Sequence, residues 1–171
     1  PQNPKTPNLL QNNSNKINDL AAIVNIYNST IPSRMVTADT PSVSVSEKLD
    51  WFNNFQEPRP IWVAIENEKV IAWLSFKSFY GRPAYAGTIE IAIYIDEQFR
   101  AKGIGKTILQ FAISAAKERN IHTLLAYIFE HNLPSIQFFQ KNGFVNYGVL
   151  PEIAIMDQKH YSLGIYGLKI S

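Results

Sequence analysis

Apolar residues alternate strictly over 88–95, with isoleucine at 89, 91, 93 and 95. A period of two built from β-branched side chains predicts a strand. After Gly105 the period changes: Ile108, Phe111, Ala112 and Ala115 recur at steps of three and four, which predicts an amphipathic helix to about Arg119. Between the two lie a break at Asp96 and the run Arg100-Ala-Lys-Gly-Ile-Gly105. Upstream, Asn18-Asp19 can cap a helix carrying Leu20, Ile23, Val24 and Tyr27, and a second helix carries Leu49, Trp51, Phe52 and Phe55 until Pro58 ends it. The polar, proline-containing stretch 32–46 between them reads as a loop that forms a substrate wall. Residues 61–65 and 70–76 are hairpin partners around a turn at 66–69. Downstream, 123–129 is a short buried strand, and Pro134 opens a helix with Ile136, Phe138 and Phe139 that Gly143 closes. The last strands fall at 145–150 and 161–170, with a loop at 151–160.

Helices embedded among strands of mixed connection make an α/β (α+β) protein with a mixed central sheet flanked by helices. Residues 1–16, rich in Asn, Gln, Pro and Lys, form a polar tail with room for one short edge strand around Leu9, and 17–171 read as one domain. A formal net charge of +2, without a stripe of Lys or Arg, argues against a nucleic-acid partner. The absence of cysteine removes disulfides, thiolate metal sites and a cysteine nucleophile, and suits a cytoplasmic protein. No apolar run reaches membrane-spanning length, so no membrane partner is expected. His122, His131 and His160 have no spaced partners, so no metal site is expected.

The chemistry concentrates at 100–106. A helix start presents unpaired N–H groups and a partial positive charge, which together hold phosphate. Gly103 and Gly105 have no Cβ to keep a ligand from the backbone. A P-loop would need glycine where Arg100 stands, and a dinucleotide fingerprint would need glycine at Ile108. What remains is Arg-x-x-Gly-x-Gly, which taken alone is either a phosphate loop or only a tight turn.

Four stretches in order carry a resemblance: Arg82-Pro-Ala-Tyr85, the strand at 88–95, the loop Arg100–Gly105, and Asn132-Leu-Pro-Ser-Ile136 with Asn142-Gly-Phe144. Together they resemble the GNAT acetyltransferase family, in its phosphinothricin and methionine sulfone/sulfoximine acetyltransferase-like branch. The resemblance covers nearly the whole chain after residue 17 and implies the GNAT fold with a splayed central strand. It implies acetyl-CoA as co-substrate and an N-acetyltransferase activity on the α-amino group of a small amino-acid-like molecule. Ile93, Tyr94 and Ile95 are then expected to offer backbone groups to the pantetheine arm. Arg100, Ala101, Lys102, Gly103, Ile104, Gly105 and Lys106 are expected to wrap the pyrophosphate. Asn132 is expected beside the thioester, its alternative reading being a turn or helix-capping asparagine ahead of Pro134. The branch also implies a homodimer.

Glu90 is the expected catalytic base. Strand alternation sends it to the face opposite the isoleucines, where small Ala92 leaves space. Without the resemblance it would read as an exposed strand glutamate. Arg82 is the expected clamp for a substrate carboxylate, with Tyr80, Gly81, Ile91 and Ala92 lining the acceptor. The branch often carries a second arginine where this chain has Tyr80. Arg34 is either a second positive charge or a solvated loop arginine. Trp73 and Tyr85 read as core or wall aromatics. A tyrosine that many members use to reprotonate the leaving thiolate is matched here by Phe139, and an acid near the chain end by Ser162. Three other readings remain: acetylation of a protein N-terminus, lysine or polyamine, a non-catalytic acyl-CoA sensor, and a nucleotide-binding protein.

Overall fold

The computed structural model describes residues 8–11 and 17–170. The expected tail therefore lies outside the described residues at 1–7 and 12–16. Within it, β1 (Asn8–Gln11) pairs antiparallel with β2 (Ile61–Glu66). The described chain forms two compact units: the first holds residues to Ser29, Val43–Phe76 and Ala92–Ala115, and the second holds Thr30–Ser42, Lys77–Ile91 and the chain from Ala116.

In the first unit, α1 (Ile17–Thr30) and α2 (Val45–Asn53) enclose Leu20, Ile23, Val24, Ile26 and Phe52 with Ile61, Val63 and Trp73 of the strands. Helix α1 includes Asn18 and Asp19 in its first turn instead of starting after them. Helix α2 starts where the sequence dictates. Ser44 Oγ accepts the Glu47 N–H at 3.2 Å, and a Glu47 carboxylate oxygen accepts the Ser44 N–H at 2.6 Å, a reciprocal capping box. β2 and β3 (Lys69–Ser78) form the expected hairpin, turned by Asn67 and Glu68 with φ of 48° and 64°. β4 (Thr88–Ile95) contributes Ala92–Ile95 to this unit, and α3 (Ile104–Lys117) follows the loop.

In the second unit, Thr88, Ile89 and Glu90 of β4 lie parallel to Thr123, Leu124 and Leu125 of β5 (Thr123–Phe129). That ladder covers three pairs although both strands continue beyond it, which is the splay expected of the central strand. β5 then pairs antiparallel with β7 (Lys159–Lys169), and β7 with β6 (Val145–Met156), after α4 (Leu133–Lys141). The β1–β2, β2–β3, β5–β7 and β6–β7 ladders are antiparallel, so the sheet is mixed as expected.

The expected loop at 151–160 is instead a hairpin. β6 runs to Met156, and a two-residue turn at Asp157 and Gln158, with φ of 49° and 63°, returns it to Lys159. Pro151 and Glu152 are absorbed by a register shift between Leu150 and Ala154, where Glu152 has φ of 52°. The Glu152 N–H left over by that bulge donates to Ser162 Oγ at 3.0 Å. Ser162 thus closes a strand irregularity. Among the described residues, no helix is long and apolar enough to cross a membrane.

Candidate active site

In the first unit, β4 ends against a turn that β3 braces. The Asp96 N–H donates to the Ile71 carbonyl at 2.8 Å, and Lys69 Nζ lies 3.1 Å from Asp96 Oδ2. Asp96 Oδ1 also accepts the Gln98 N–H at 3.0 Å, capping a single 3-10 turn at Glu97–Phe99. Burial pushes the Asp96 carboxyl up, but the Gln98 N–H and the Lys69 ammonium outweigh it and hold the group below its ordinary value. Arg100 then folds back, its Nε donating to the Ile95 carbonyl at 3.1 Å. The loop that follows is exposed from Arg100 to Gly103. Ala101 and Gly103 have φ of 58° and 79°, and a Cβ at Gly103 would meet nothing within 4 Å. Backbone in this left-handed region turns successive N–H groups toward one side, and the open space at Gly103 admits a bulky anion. Lys102 and Lys106 are exposed beside it, while Ile104 is buried and fixes the start of α3. The residues present fit a diphosphate.

Tyr94 stacks on Trp73 with ring centroids 4.3 Å apart and planes within 5°, and also meets Tyr27 at 5.5 Å. Trp73, 2% exposed, is therefore core, and Tyr94 is set by aromatic packing. Ile93, Tyr94, Ile95 and Ala92 are all half-buried, so the strand is partly open to solvent here.

In the second unit, Glu90 is half-buried in the middle of β4, between buried Ile89 and Ile91. Burial pushes its carboxyl above the ordinary glutamate value, and the positive charge of Lys77 pulls it part of the way back. Tyr127 lies two residues beyond Leu125, the register partner of Glu90, so its side chain leaves the same face of the sheet. Its phenol is raised by burial and then by the Glu90 charge. Sequence reasoning missed both Lys77 and Tyr127. Lys77 lies just past the strand expected at 70–76, and only the register of a non-local pairing sets either beside Glu90.

The other expected residues are placed as follows. Tyr80, Gly81 and Arg82 occupy an exposed turn where Gly81 has φ of 60° and Tyr80 meets Phe79 and Tyr85. Tyr85 is 43% exposed, so it is not a core residue. Arg82 precedes a 3-10 turn at Pro83–Tyr85. Arg34 is half-buried and ion-paired: its Nε donates to Asp157 Oδ2 at 2.7 Å, and Nη1 donates to the Ile31 carbonyl. Asn132 is buried and adopts its capping reading. Oδ1 accepts the Ser135 N–H at 3.3 Å, and Nδ2 donates to the Met35 carbonyl at 3.1 Å. The adjacent His131 Nε2 lies 2.7 Å from the Arg34 carbonyl, so two successive residues tie the 30–42 segment down. Phe139 is buried against Phe138 and Phe144. Among the described residues, no cluster of His, Asp and Glu can hold a metal.

Known proteins resemble this chain in sequence and in fold. The family model described as the acetyltransferase (GNAT) family matches residues 21–144. A Bacillus subtilis protein named "Putative phosphinothricin acetyltransferase YwnH" is 52% identical over 154 residues, covering 90% of this chain and 94% of its own. A Pseudomonas paraeruginosa L-methionine sulfoximine/L-methionine sulfone acetyltransferase is 27% identical, covering 79% of this chain and 80% of its own. Among solved structures, one described as a "putative phosphinothricin N-acetyltransferase" superposes with a TM-score of 0.89 at 49% identity, covering 96% of this chain and 99% of its own.

Proposed function

The chain belongs to the GNAT acetyltransferase family, as an N-acetyltransferase of the phosphinothricin-type branch that uses acetyl-CoA, and from that premise we propose that its acceptor is the α-amino group of a small amino-acid-like molecule. Phosphinothricin, methionine sulfoximine and methionine sulfone are the acceptor types. The relatives named for these molecules support the reading. The observation that carries it is Glu90, a carboxylate half-buried on the central strand and pushed toward the pH range where a general base works.

Acetyl-CoA supplies an acetyl thioester. An α-ammonium with a pKa near ~8 must lose a proton before it can attack. Glu90 takes that proton, directly or through one water, and the amine attacks the carbonyl carbon. The C–N bond forms, the nitrogen gives up its second proton to solvent, the C–S bond breaks, and the sulfur leaves with the electron pair. No side chain is acylated, in keeping with a chain without cysteine. A backbone N–H of the central strand faces the developing oxyanion. The 100–106 loop holds the pyrophosphate through its N–H groups and the α3 dipole, and Ile93–Ile95 supply backbone groups for the pantetheine arm. Phe139 carries no proton, so the thiolate, with a pKa near ~8.5, takes one from solvent. Arg82 engages the acceptor's carboxylate.

A homodimer is proposed with it. β6 is the last strand in its sheet and exposes Val145, Tyr147, Val149, Leu150, Ile153 and Ile155, an apolar edge that a second copy can cover. Mass and NMR analysis of the product from methionine sulfone tests the chemistry. Acetyl on the α-nitrogen is expected, and acetyl-CoA turnover only with peptides or polyamines would overturn the acceptor assignment.

A further inference from the structure

The positive charge of Lys77 acts on Glu90. β3 and β4 are neighbouring strands, and the Asp96 N–H to Ile71 carbonyl bond fixes their antiparallel register. The Trp73–Tyr94 stack two residues further along agrees with it. Followed two residues at a time, that register brings Ser75 opposite Ala92 and then Lys77 opposite Glu90. Directly opposed residues leave the same face of a sheet with Cβ atoms about 5 Å apart. Lys77 is exposed, Glu90 half-buried. The groups facing Glu90 are thus Lys77 from β3, Leu125 and Tyr127 from β5, and Ala92 on its own strand. Among the described residues, Lys77 and Glu90 interact through their charges without closing into an ion pair.

A cation and a carboxylate held apart on one face complement a molecule that carries an ammonium and a carboxylate on one carbon. We propose that Lys77 is the carboxylate anchor of the acceptor site, holding the α-carboxylate of an amino acid whose amino group faces Glu90. This rests on the α-amino-acid reading above and deepens it. Lys77 also selects by repulsion. A polyamine meets a like charge there. A protein N-terminus, whose α-carbon bears an amide, offers it nothing to bind. Arg82, on the turn that follows β3, shares the acceptor's α-carboxylate with Lys77.

The test compares methionine sulfone, its carboxamide and its decarboxylated amine as acceptors for the wild type, Lys77→Ala, Lys77→Glu and Lys77→Arg. Loss of a charge-assisted contact should raise KM for the amino acid about tenfold in Lys77→Ala and about a hundredfold in Lys77→Glu. Lys77→Arg should restore most of it. The carboxamide, the amine and the KM for acetyl-CoA should change by less than about threefold. Equal losses on all three acceptors, or an unchanged KM for the amino acid, would overturn the anchor. A wild type that does not prefer the amino acid over its carboxamide overturns the α-amino-acid reading itself. A wild-type preference that survives Lys77→Glu overturns only the role of Lys77.

Discussion

Replacing Glu90 with glutamine keeps the size and removes the base. The acceptor's own ionisation sets how the deficit depends on pH. With an α-ammonium pKa near ~8, about one tenth of the acceptor is free amine at pH 7 and about nine tenths at pH 9. Glu90 therefore matters most at low pH. A positioned base contributes about 10² to 10⁴ in rate, or about 3–5 kcal/mol of barrier. Thiol release from acetyl-CoA with methionine sulfone should fall by that factor at pH 7, and the ratio of wild type to variant should shrink about tenfold by pH 9. The wild-type kcat/KM should have an acid limb above the ordinary glutamate range, because burial raises Glu90. The same substitution should stabilise the fold. A carboxyl whose pKa is higher folded than unfolded binds a proton more readily in the folded state, so its ionised form costs stability above the folded pKa. That cost fades as pH falls through the folded and then the unfolded pKa, so Glu90→Gln should raise Tm at pH 8 and lose its advantage near pH 4. A rate deficit independent of pH, or a Tm lowered at pH 8, would refute the assignment of Glu90 as a half-buried base.

Other outcomes follow from single residues. Ser44→Ala removes one side of the capping box and should cost about 1 kcal/mol, read by denaturant unfolding, while an unchanged midpoint would show that the cap contributes nothing. Gly103→Val forces a β-branched residue into φ of 79° where nothing crowds it, so the chain should fold with a cost of about 1–3 kcal/mol. Calorimetry should show acetyl-CoA bound at least about tenfold more weakly, and unchanged affinity would move the pyrophosphate off this loop. Ile155→Lys, at a 64% exposed position on β6, should yield monomer by light scattering, and an unchanged molar mass would place the interface elsewhere.

The elements with a single sharp period were legible: the alternating isoleucines of β4, the three-four spacing of α3 and the hairpin of β2 and β3 all lie where the pattern puts them. The 151–160 hairpin was not. Its turn, Asp157-Gln158, has no glycine although both residues adopt positive φ, and Pro151 with Glu152 looks like a chain break until a bulge absorbs it. Glu90 was legible as a face, but its burial and its neighbours were not. Lys77 and Tyr127 reach it through strand pairings that no local pattern encodes. The ion pair of Arg34 was not legible for the same reason, since its partner Asp157 lies 123 residues away. Asn132 carried two readings in the sequence, and the cap is the one its hydrogen bonds display.

The measurement closest to the central claim is thiol release from acetyl-CoA across methionine sulfone, methionine sulfoximine, phosphinothricin, ordinary amino acids, a polyamine and a short peptide. Turnover concentrated on the amino acids with tetrahedral polar tails is the predicted result. Turnover of the peptide or the polyamine alone would keep the acetyl transfer and contradict the α-amino-acid acceptor.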